Sequence, residues 1–361
     1  MSLSRLCAGL VAFAVLASPA PLRAQTTSTR ITDDPEKRHL TISIGPVDLP
    51  SMMMAGEHME HAEHMMVRPP VETVTVPIDA YLYGFGFDVV DADGKPVPNQ
   101  VVHHLNLIDP DHRELFLPIS QRIGAVGGET GNQGVPGAVK YFVGVPMKAG
   151  QRVVVSLMLH NPTPTDYHGV TVRYYWKYVK GGRLWPLFSL QPFQLDVAFP
   201  AGDKSFDLPP GKSSKSYEGK PAVPGRILAI GGHLHDLATS LRFEDATANK
   251  LIWEGKPFTD KDGTVNRLPV GYLYRKLGVK LDTSHAYRVT VFYDNPGTDT
   301  IPAGGMGVVA GVFLPSDPWP TVDRTDPLYA LDRKHYLREL NGKYSALLAE
   351  EAPSTTPAKR R

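Results

Sequence analysis

Alternation of apolar and polar residues with a period of two, in runs of eight or nine residues, is the feature of this sequence that most restricts its fold. Residues 152–160, 170–178 and 287–294 each show it. Successive side chains of a β-strand point to opposite faces of the sheet, so such runs predict half-buried strands. Turn signals such as Asp93-Gly94 and Asn295-Pro296-Gly297 separate the runs. Their short spacing predicts an all-β fold of antiparallel β-sandwiches rather than βαβ units.

The length of 361 residues suggests two or three domains. A polar stretch rich in Pro, Gly, Ser and Lys, residues 199–220, gives the best boundary, although the cut could also fall nearer Leu190. Asp326-Pro327 is typical of a helix start, and it predicts a short C-terminal helix. The predicted segments are a signal peptide (1–24), a polar leader (25–37), an N-terminal β-sandwich (38–198), a C-terminal β-sandwich (199–318), a helical extension (319–350) and a disordered tail (351–361).

The first 24 residues have the three parts of a secretory signal peptide. Arg5 supplies positive charge, residues 6–17 are apolar, and small residues lead to Ala24. The apolar run is too short to span a bilayer. Because Cys7, the one cysteine of the chain, would leave with this signal, we expect a periplasmic or secreted protein without disulfides or a cysteine metal site. Any metal ligands must then be His, Met, Asp or Glu.

Two histidine pairs carry the strongest local signals. His233 and His235 stand at i and i+2, so on a strand their imidazoles share a face and form a two-point chelate for Cu, Zn, Ni or Fe. The alternative is two half-exposed histidines on a sheet surface. His103 and His104 are adjacent and would face opposite sides of a regular strand. Both can reach one metal only at a strand end or a bulge.

Two further residues fit the same chemistry. His160 ends an apolar strand just before Asn161-Pro162, and Met306 lies between glycines. A thioether favours Cu(I) and imidazole binds both Cu(I) and Cu(II), so a His₂Met set would suit a copper that cycles between those states. Core packing is the alternative for the methionine.

We interpret Asp109 and Asp111 as solvated turn residues. We interpret the remaining histidines outside residues 51–66 as structural residues: His39, His112, His168, His285 and His335. Of these, His168 is a possible substitute for His160 as a ligand.

Taken in order, these motifs resemble a known family. His103-His104, His160 before Asn161-Pro162, His233-x-His235 and then Gly304-Gly305-Met306 resemble the copper type II, ascorbate-dependent monooxygenases over about residues 75–315. That family includes peptidylglycine α-hydroxylating monooxygenase and dopamine β-monooxygenase. No single motif is specific, and the order and spacing carry the resemblance. It implies two tandem jelly-roll-like sandwiches that face each other across a solvent-filled cleft, with one copper in each domain.

The resemblance also implies the roles of the residues. The first, electron-transfer copper would be held by His103, His104 and His160. The second copper, where O₂ and substrate meet, would be held by His233, His235 and Met306, which are therefore the candidate catalytic residues. Ascorbate or an equivalent external reductant would reduce both coppers. One oxygen atom would enter an unactivated C–H bond and the other would leave as water.

The sequence departs from the family where the substrate is held. The peptide-amidating enzyme has an arginine, an asparagine and a tyrosine at the positions of Gly231, Val308 and Ala310. With these three polar contacts missing, a glycine-extended peptide is not the expected substrate. The resemblance then implies a different substrate, smaller or more apolar, which is either a small molecule or a side chain.

Residues 51–66 form a second copper-like feature, with six methionines and three histidines in the sequence SMMMAGEHMEHAEHMM. Methionine and histidine clusters can collect Cu(I) and Cu(II) in an oxidising compartment. One interpretation is an insertion that binds no ligand. The other is an auxiliary copper site whose ligands come from His58, Met59, His61, His64 and Met65.

Three functions therefore stay open. The first is an exported dicopper monooxygenase that uses O₂ and an external reductant. The second is a non-catalytic copper-binding protein for storage, delivery or resistance, with a copper donor as a partner. The third is an interaction sandwich with surface histidines, and zinc is a further alternative for the three-histidine site. The balance of 38 Lys and Arg against 37 Asp and Glu gives no indication of a nucleic-acid partner.

Overall fold

The computed structural model describes residues 27–51, 66–135, 137–182, 186–199, 205–261 and 263–338. Over these residues the chain is built from β-strands, antiparallel except for the short β8–β11 pair, and one short C-terminal α-helix. The prediction of an all-β fold with two tandem β-sandwiches is confirmed. No helix in the described ranges combines the length and the apolar character needed to cross a membrane.

The first sandwich consists of two facing sheets. Its strands are β1 (Ser28–Asp34), β2 (His39–Leu49), β3 (Glu72–Thr75), β4 (Ala80–Val90), β5 (Val102–Arg113), β6 (Ser120–Val126), β7 (Gln133–Gly134), β8 (Val143–Met147), β9 (Arg152–Leu159), β10 (Tyr167–Val179) and β11 (Phe188–Ser189). One sheet has the order β1-β2-β10-β4-β8-β11, with β7 paired to β4. The other has the order β3-β9-β5-β6.

The second sandwich follows the same principle. Its strands are β12 (Gln191–Asp196), β13 (Phe206–Leu208), β14 (Gly211–Gly219), β15 (Gly225–Leu234), β16 (Ala238–Asp245), β17 (Lys250–Gly255), β18 (Phe258–Thr259), β19 (Val265–Arg267), β20 (Gly271–Tyr272), β21 (Val279–Leu281), β22 (Tyr287–Asn295), β23 (Ile301–Gly305) and β24 (Gly307–Pro315). The sheet β12-β24-β15-β20, with β21 on β15, packs on the sheet β14-β22-β16-β17. Two smaller pairs are β13-β23 and β18-β19. Helix α1 (Pro327–Arg338) comes last.

The alternation in the sequence explains where the cores lie. In β10, Val172, Tyr174 and Trp176 are buried, whereas Arg173 between them is exposed. The three runs that predicted strands are confirmed, and β9 and β22 follow the same alternation except that Val154 and Thr290 are buried as well. Each sandwich buries an apolar core of its own. Burial of alternate apolar side chains is the main favourable term that holds such sheets face to face.

The segment boundaries differ from the predicted ones in two places. The expected polar leader contains β1, which pairs along its whole length with β2. Strand β12 pairs with β24, so by strand pairing the second sandwich begins before residue 199, close to the alternative boundary at Leu190. The predicted helix start is confirmed, because the carboxylate of Asp326 accepts the N–H of Leu328 at 2.8 Å.

The interpretation of Asp109 as a solvated turn residue is wrong. Asp109 lies within β5 and is buried, where its carboxylate accepts hydrogen bonds from His112 Nδ1 at 2.8 Å and Gln151 Nε2 at 2.7 Å. The Asp-Pro-Asp pattern usually indicates a turn. Here the register of β5 against β6 shifts between Asp109 and Arg113, and this irregularity accommodates the proline within the strand.

Candidate metal centre

A β-bulge places the first histidine pair. Against β9, Val102 pairs with Leu159 and His104 pairs with Met158, so His103 is the extra residue on β5. The bulge turns both imidazoles toward one region, as the sequence argument requires for adjacent histidines. His160 follows the end of β9, and its N–H donates to the carbonyl of Val101 at 3.0 Å. The three histidines of the first sandwich therefore lie at one end of two adjacent interior strands.

The second sandwich contributes the end of β15. His233 lies on β15 and His235 comes just after it, with the two ring centroids 5.4 Å apart. Strand β24 runs antiparallel to β15, and Leu234 pairs with Gly307. This register brings the backbone of His235 next to Met306, whose side chain is buried. The chelate face predicted from the i and i+2 spacing is therefore present at the end of a central strand.

A buried tyrosine holds His235 and Met306 together. The hydroxyl of Tyr293 accepts the N–H of His235 at 3.2 Å and that of Met306 at 2.8 Å. It also donates to the carbonyl of Met306 at 2.5 Å. Burial raises the pKa of this hydroxyl to about 12, so the phenol stays neutral and keeps its proton for the carbonyl. Three backbone groups beside the centre are thus fixed by one side chain of β22.

The five histidines of the two sandwiches form one cluster. The ring centroid of His103 lies 4.2 Å from that of His104 and 5.2 Å from that of His160. Across the domain junction, His103 lies 5.7 Å from His235. His104 lies 5.0 Å from His233 and 5.9 Å from His235. The two ligand sets implied by the resemblance are therefore in ring contact, whereas the family arrangement separates them by a cleft.

The ring nitrogens of this cluster are placed as metal ligands would be. One nitrogen each from His103, His104 and His235 lies within 4.8 Å of the others. Within the described ranges, three buried ring nitrogens of the cluster have no hydrogen-bond partner: His160 Nδ1, His233 Nε2 and His235 Nε2. Buried polar atoms are normally satisfied, so unsatisfied nitrogens in one histidine cluster make it a candidate ligand site.

Electrostatics keep most of the cluster neutral. Burial, together with the neighbouring His160 and His233, lowers the pKa of His103 to about 4. Burial with His233 and His103 lowers that of His235 to about 3, and burial alone lowers the pKa of His160. Neutral imidazole is the form that binds metals, so these rings need not release a proton to act as ligands.

His233 differs because it has a carboxylate partner. Its Nδ1 lies 2.6 Å from an Oε atom of Glu129. Burial alone would lower the pKa of His233, but the charge and hydrogen bond of Glu129 outweigh burial and raise it. In turn, His233 overcomes the effect of burial on Glu129 and holds the pKa of that carboxyl below its usual range. A carboxylate on Nδ1 fixes the ring orientation and leaves Nε2 facing the cluster.

Sequence reasoning missed both Glu129 and Tyr293. Glu129 lies in the connection from β6 to β7, where a Cβ on Gly128 would come within 2.7 Å of the Cα of Gln100. Only glycine therefore lets this connection pass so close to the chain that leads into β5. The Gly127-Gly128-Glu129 sequence was the available signal, since glycines around a lone carboxylate often mark a close backbone approach.

Other candidate residues lie elsewhere. His168, the proposed substitute for His160, is exposed beside Asp48 with its Nδ1 3.5 Å from the carboxylate. It is not part of the cluster. The predicted auxiliary copper ligands His58, Met59, His61, His64 and Met65 lie outside the described residues, as does the predicted signal peptide over residues 1–24.

Comparisons with known proteins identify no family. No family model matches the sequence, and no curated protein matches it. Among solved structures, the chain is similar to PNGase F, a glycosylasparaginase from Flavobacterium meningosepticum, with 10% identity and a TM-score of 0.37 over 77% of this chain and 97% of that one. The subviral particle protein of infectious bursal disease virus aligns with a TM-score of 0.18 and 11% identity, over 89% of this chain and 88% of that one.

Proposed function

We propose that this chain is an exported copper-dependent monooxygenase whose metal centre is shared by its two sandwiches. One observation carries the proposal. Five imidazoles from both sandwiches converge, and three of their buried nitrogens have no hydrogen-bond partner among the described residues. The order of His103-His104, His160, His233-x-His235 and Met306 along the chain supports the assignment to copper. The signal-like first 24 residues support export.

The donor set suits copper better than the common alternatives. Calcium and magnesium prefer oxygen ligands, whereas this cluster offers imidazole nitrogens. Imidazole binds both Cu(I) and Cu(II), and the buried Met306 beside His235 could add a thioether that favours Cu(I). Bound copper would supply one-electron redox chemistry and activation of O₂.

The chain itself contributes position and charge. Glu129 orients His233, and Tyr293 fixes the backbone of His235 next to that of Met306. The lowered pKa values of His103 and His235 keep both rings unprotonated at neutral pH. Ligands held in this way before metal arrives lose little freedom on binding, and this raises affinity.

The proposed reaction hydroxylates a C–H bond. One O₂, two electrons and two protons convert R–H to R–OH and water. The electrons come from an external two-electron reductant such as ascorbate, which leaves as dehydroascorbate. In the sheet register, Gly231 lies opposite Ala310 and His233 opposite Val308. These neighbouring sheet positions therefore carry no polar side chain, which favours a small or apolar substrate.

Copper binding and reductant-driven oxygen uptake test the proposal. We expect the full chain to bind about two copper ions, with nitrogen-ligated Cu(II) in electron paramagnetic resonance and ascorbate-dependent O₂ consumption when small apolar substrates are supplied. Met306→Ile should abolish hydroxylation while His103, His104 and His160 still retain copper. His168→Ala is the matched control and should change neither result. Full turnover by Met306→Ile, or exclusive binding of zinc, would contradict the assignment.

A non-catalytic copper-binding protein for storage, delivery or resistance is the second candidate. The lack of polar side chains at Gly231, Val308 and Ala310 favours it, because nothing there holds a polar substrate. Deletion of residues 52–65 is the distinguishing experiment, since this stretch contains five of the 10 methionines and three of the 13 histidines of the chain. A storage protein should lose much of its copper capacity, whereas a monooxygenase should keep its ascorbate-dependent oxygen uptake.

A further inference from the structure

The connection from β5 to β6 belongs to the core of the other domain. Leu115, Phe116, Leu117 and Ile119 are all buried, and they pack with the second sandwich although the flanking strands belong to the first. The ring of Phe116 lies 5.9 Å from that of Phe243. We call residues 115–119 the interdomain loop. Because its side chains fill the core of the second sandwich, the sandwiches cannot separate without exposing them to water.

A buried carboxylate fastens both sandwiches at the base of this loop. One oxygen of Glu114 accepts the N–H of Arg122 on β6 at 2.6 Å, and the other accepts the N–H of Gln194 on β12 at 3.2 Å. Gln121 adds a third link, because its Nε2 donates to the carbonyl of Pro192 at 2.9 Å. Strands from different domains are thus joined through groups that water does not reach.

The chain after β24 returns to the first sandwich. The indole N–H of Trp319 donates to the carbonyl of Arg113 at 3.0 Å, and Val322 donates to the carbonyl of Asp111 at 3.0 Å. In α1, Asp332 forms a buried bidentate ion pair with Arg122, with 2.7 Å between Nη1 and Oδ2. We call residues 319–338 the C-terminal strap. It crosses from the second sandwich onto β5 and β6.

We propose that the interdomain loop and the C-terminal strap form a clamp that holds the two sandwiches closed before any metal binds. Strand β5 carries His103 and His104 at one end and runs into the interdomain loop at the other. A clamp on the far end of this strand therefore sets how closely its histidines approach His233 and His235. The two halves of the cluster are then preassembled by the protein and are not drawn together by a ligand.

This inference deepens the proposed function, but its first readout does not depend on that function. In a full chain with Cys7→Ser, spin labels on Asp93→Cys in the first sandwich and Lys250→Cys in the second report the domain separation by pulsed electron resonance. We expect one narrow distance in the metal-free protein and the same distance after loading with Cu(I), which is diamagnetic. A broad metal-free distribution that narrows only with Cu(I) would overturn the clamp.

Weakening the strap gives the second readout. Asp332→Ala should broaden the label distance and, if one molecule in ten stays closed, reduce apparent copper affinity about tenfold. Leu331→Ala, on the exposed side of the same helix, is the matched control and should change neither quantity. An unchanged distance and affinity in a folded Asp332→Ala protein would show that the strap is not part of a clamp. If Asp332→Ala does not fold, the width of the metal-free label distance in the parent protein still decides whether the clamp exists.

The two proposals can fail separately. A narrow metal-free distance in a protein that binds no copper would support the clamp and reject the copper centre. Copper binding by a protein whose metal-free distance distribution is broad would support the copper centre and reject the clamp.

Discussion

The two ends of strand β5 meet the second sandwich in opposite ways. At the histidine end, buried nitrogens of His160, His233 and His235 lack hydrogen-bond partners in the part of the chain that the structure describes. At the clamp end the charged groups are paired: Arg122 and Asp332 form a bidentate ion pair and Glu114 accepts two backbone hydrogen bonds, although the buried hydroxyl of Ser120 there has no partner among the described residues. An unsatisfied buried polar group costs about 1–3 kcal/mol, so three such nitrogens in one cluster favour a ligand there. The contrast distinguishes the proposed metal site from a junction built on paired charges.

The largest expected effect lies at the clamp end. Arg122→Met would leave the carboxylate of Asp332 buried without its charged partner, which costs about 3–5 kcal/mol of unfolding free energy. Chemical denaturation of the metal-free protein measures this loss. The double variant Arg122→Met with Asp332→Leu should recover most of it, because a buried apolar pair needs no charge partner. If Arg122→Met were as stable as the parent, the ion pair would not be a structural feature and the two ends of β5 would not differ in this way.

The reverse pattern is expected at the histidine end. His235→Leu should lower copper affinity by more than about 100-fold, since it removes a ring nitrogen from the centre. The same change should leave the metal-free protein as stable as the parent or slightly more stable, because it removes an unsatisfied buried group. Copper competition with a chelator and thermal unfolding measure the two quantities. A large loss of metal-free stability would show that His235 is a structural residue.

The third prediction concerns how Glu129 supports the centre. Glu129→Gln keeps the size of the side chain but weakens its hold on His233 Nδ1. Loss of such a supporting contact typically reduces metal affinity by about 10–100-fold. We expect this reduction with no change in the number of copper ions bound. Asp236 is exposed, and its negative charge also raises the pKa of His233. The variant Asp236→Asn is therefore the control. Equal effects of both variants would indicate a general charge effect rather than orientation.

Much of the fold was readable from the sequence, but the joining of the two histidine sets was not. Period-two alternation in residues 152–160 identified β9, and the spacing of His233 and His235 identified the chelate face, because both patterns are local. Contacts between distant segments leave no such pattern. Nothing near Phe116 or Asp332 in the sequence indicates that one enters the core of the other domain and that the other pairs with Arg122.

The same limit explains the residues that were misread or missed. Asp109 stands in a sequence that normally forms a turn, and its burial is compensated by the nearby His112 and by Gln151, which is 42 residues away. Glu129 is 104 residues from His233, and the two meet because a glycine lets one loop pass close to another. Local rules predict elements well, whereas supporting contacts around a site depend on how whole domains dock.

The smallest expected effect is a pH dependence at the clamp end. The hydrogen bond to Asp109 raises the pKa of His112 above its ordinary 6.5, despite partial burial, which lowers it. A raised folded-state pKa gives stabilisation that is complete below pH 6.5 and is lost as the pH rises through the folded value. The imidazole is 41% exposed, so the contribution should be only about 0.5 kcal/mol. His112→Gln should therefore cost more unfolding free energy at about pH 5.5 than at about pH 8.5.

Denaturation of both proteins at the two pH values tests this difference, with His168→Gln as the control because that imidazole is 79% exposed.

The partner carboxylate, Asp109, contributes to stability in a different pH range. The hydrogen bonds from His112 and Asp111 hold the pKa of Asp109 below its usual range against the opposing effect of burial. Its stabilisation is therefore present above about pH 3.8 and disappears as the pH falls further. Since His112 pairs through Thr321 with the C-terminal strap, a pH-independent His112→Gln difference would mean that this imidazole contributes packing and no charge to the clamp.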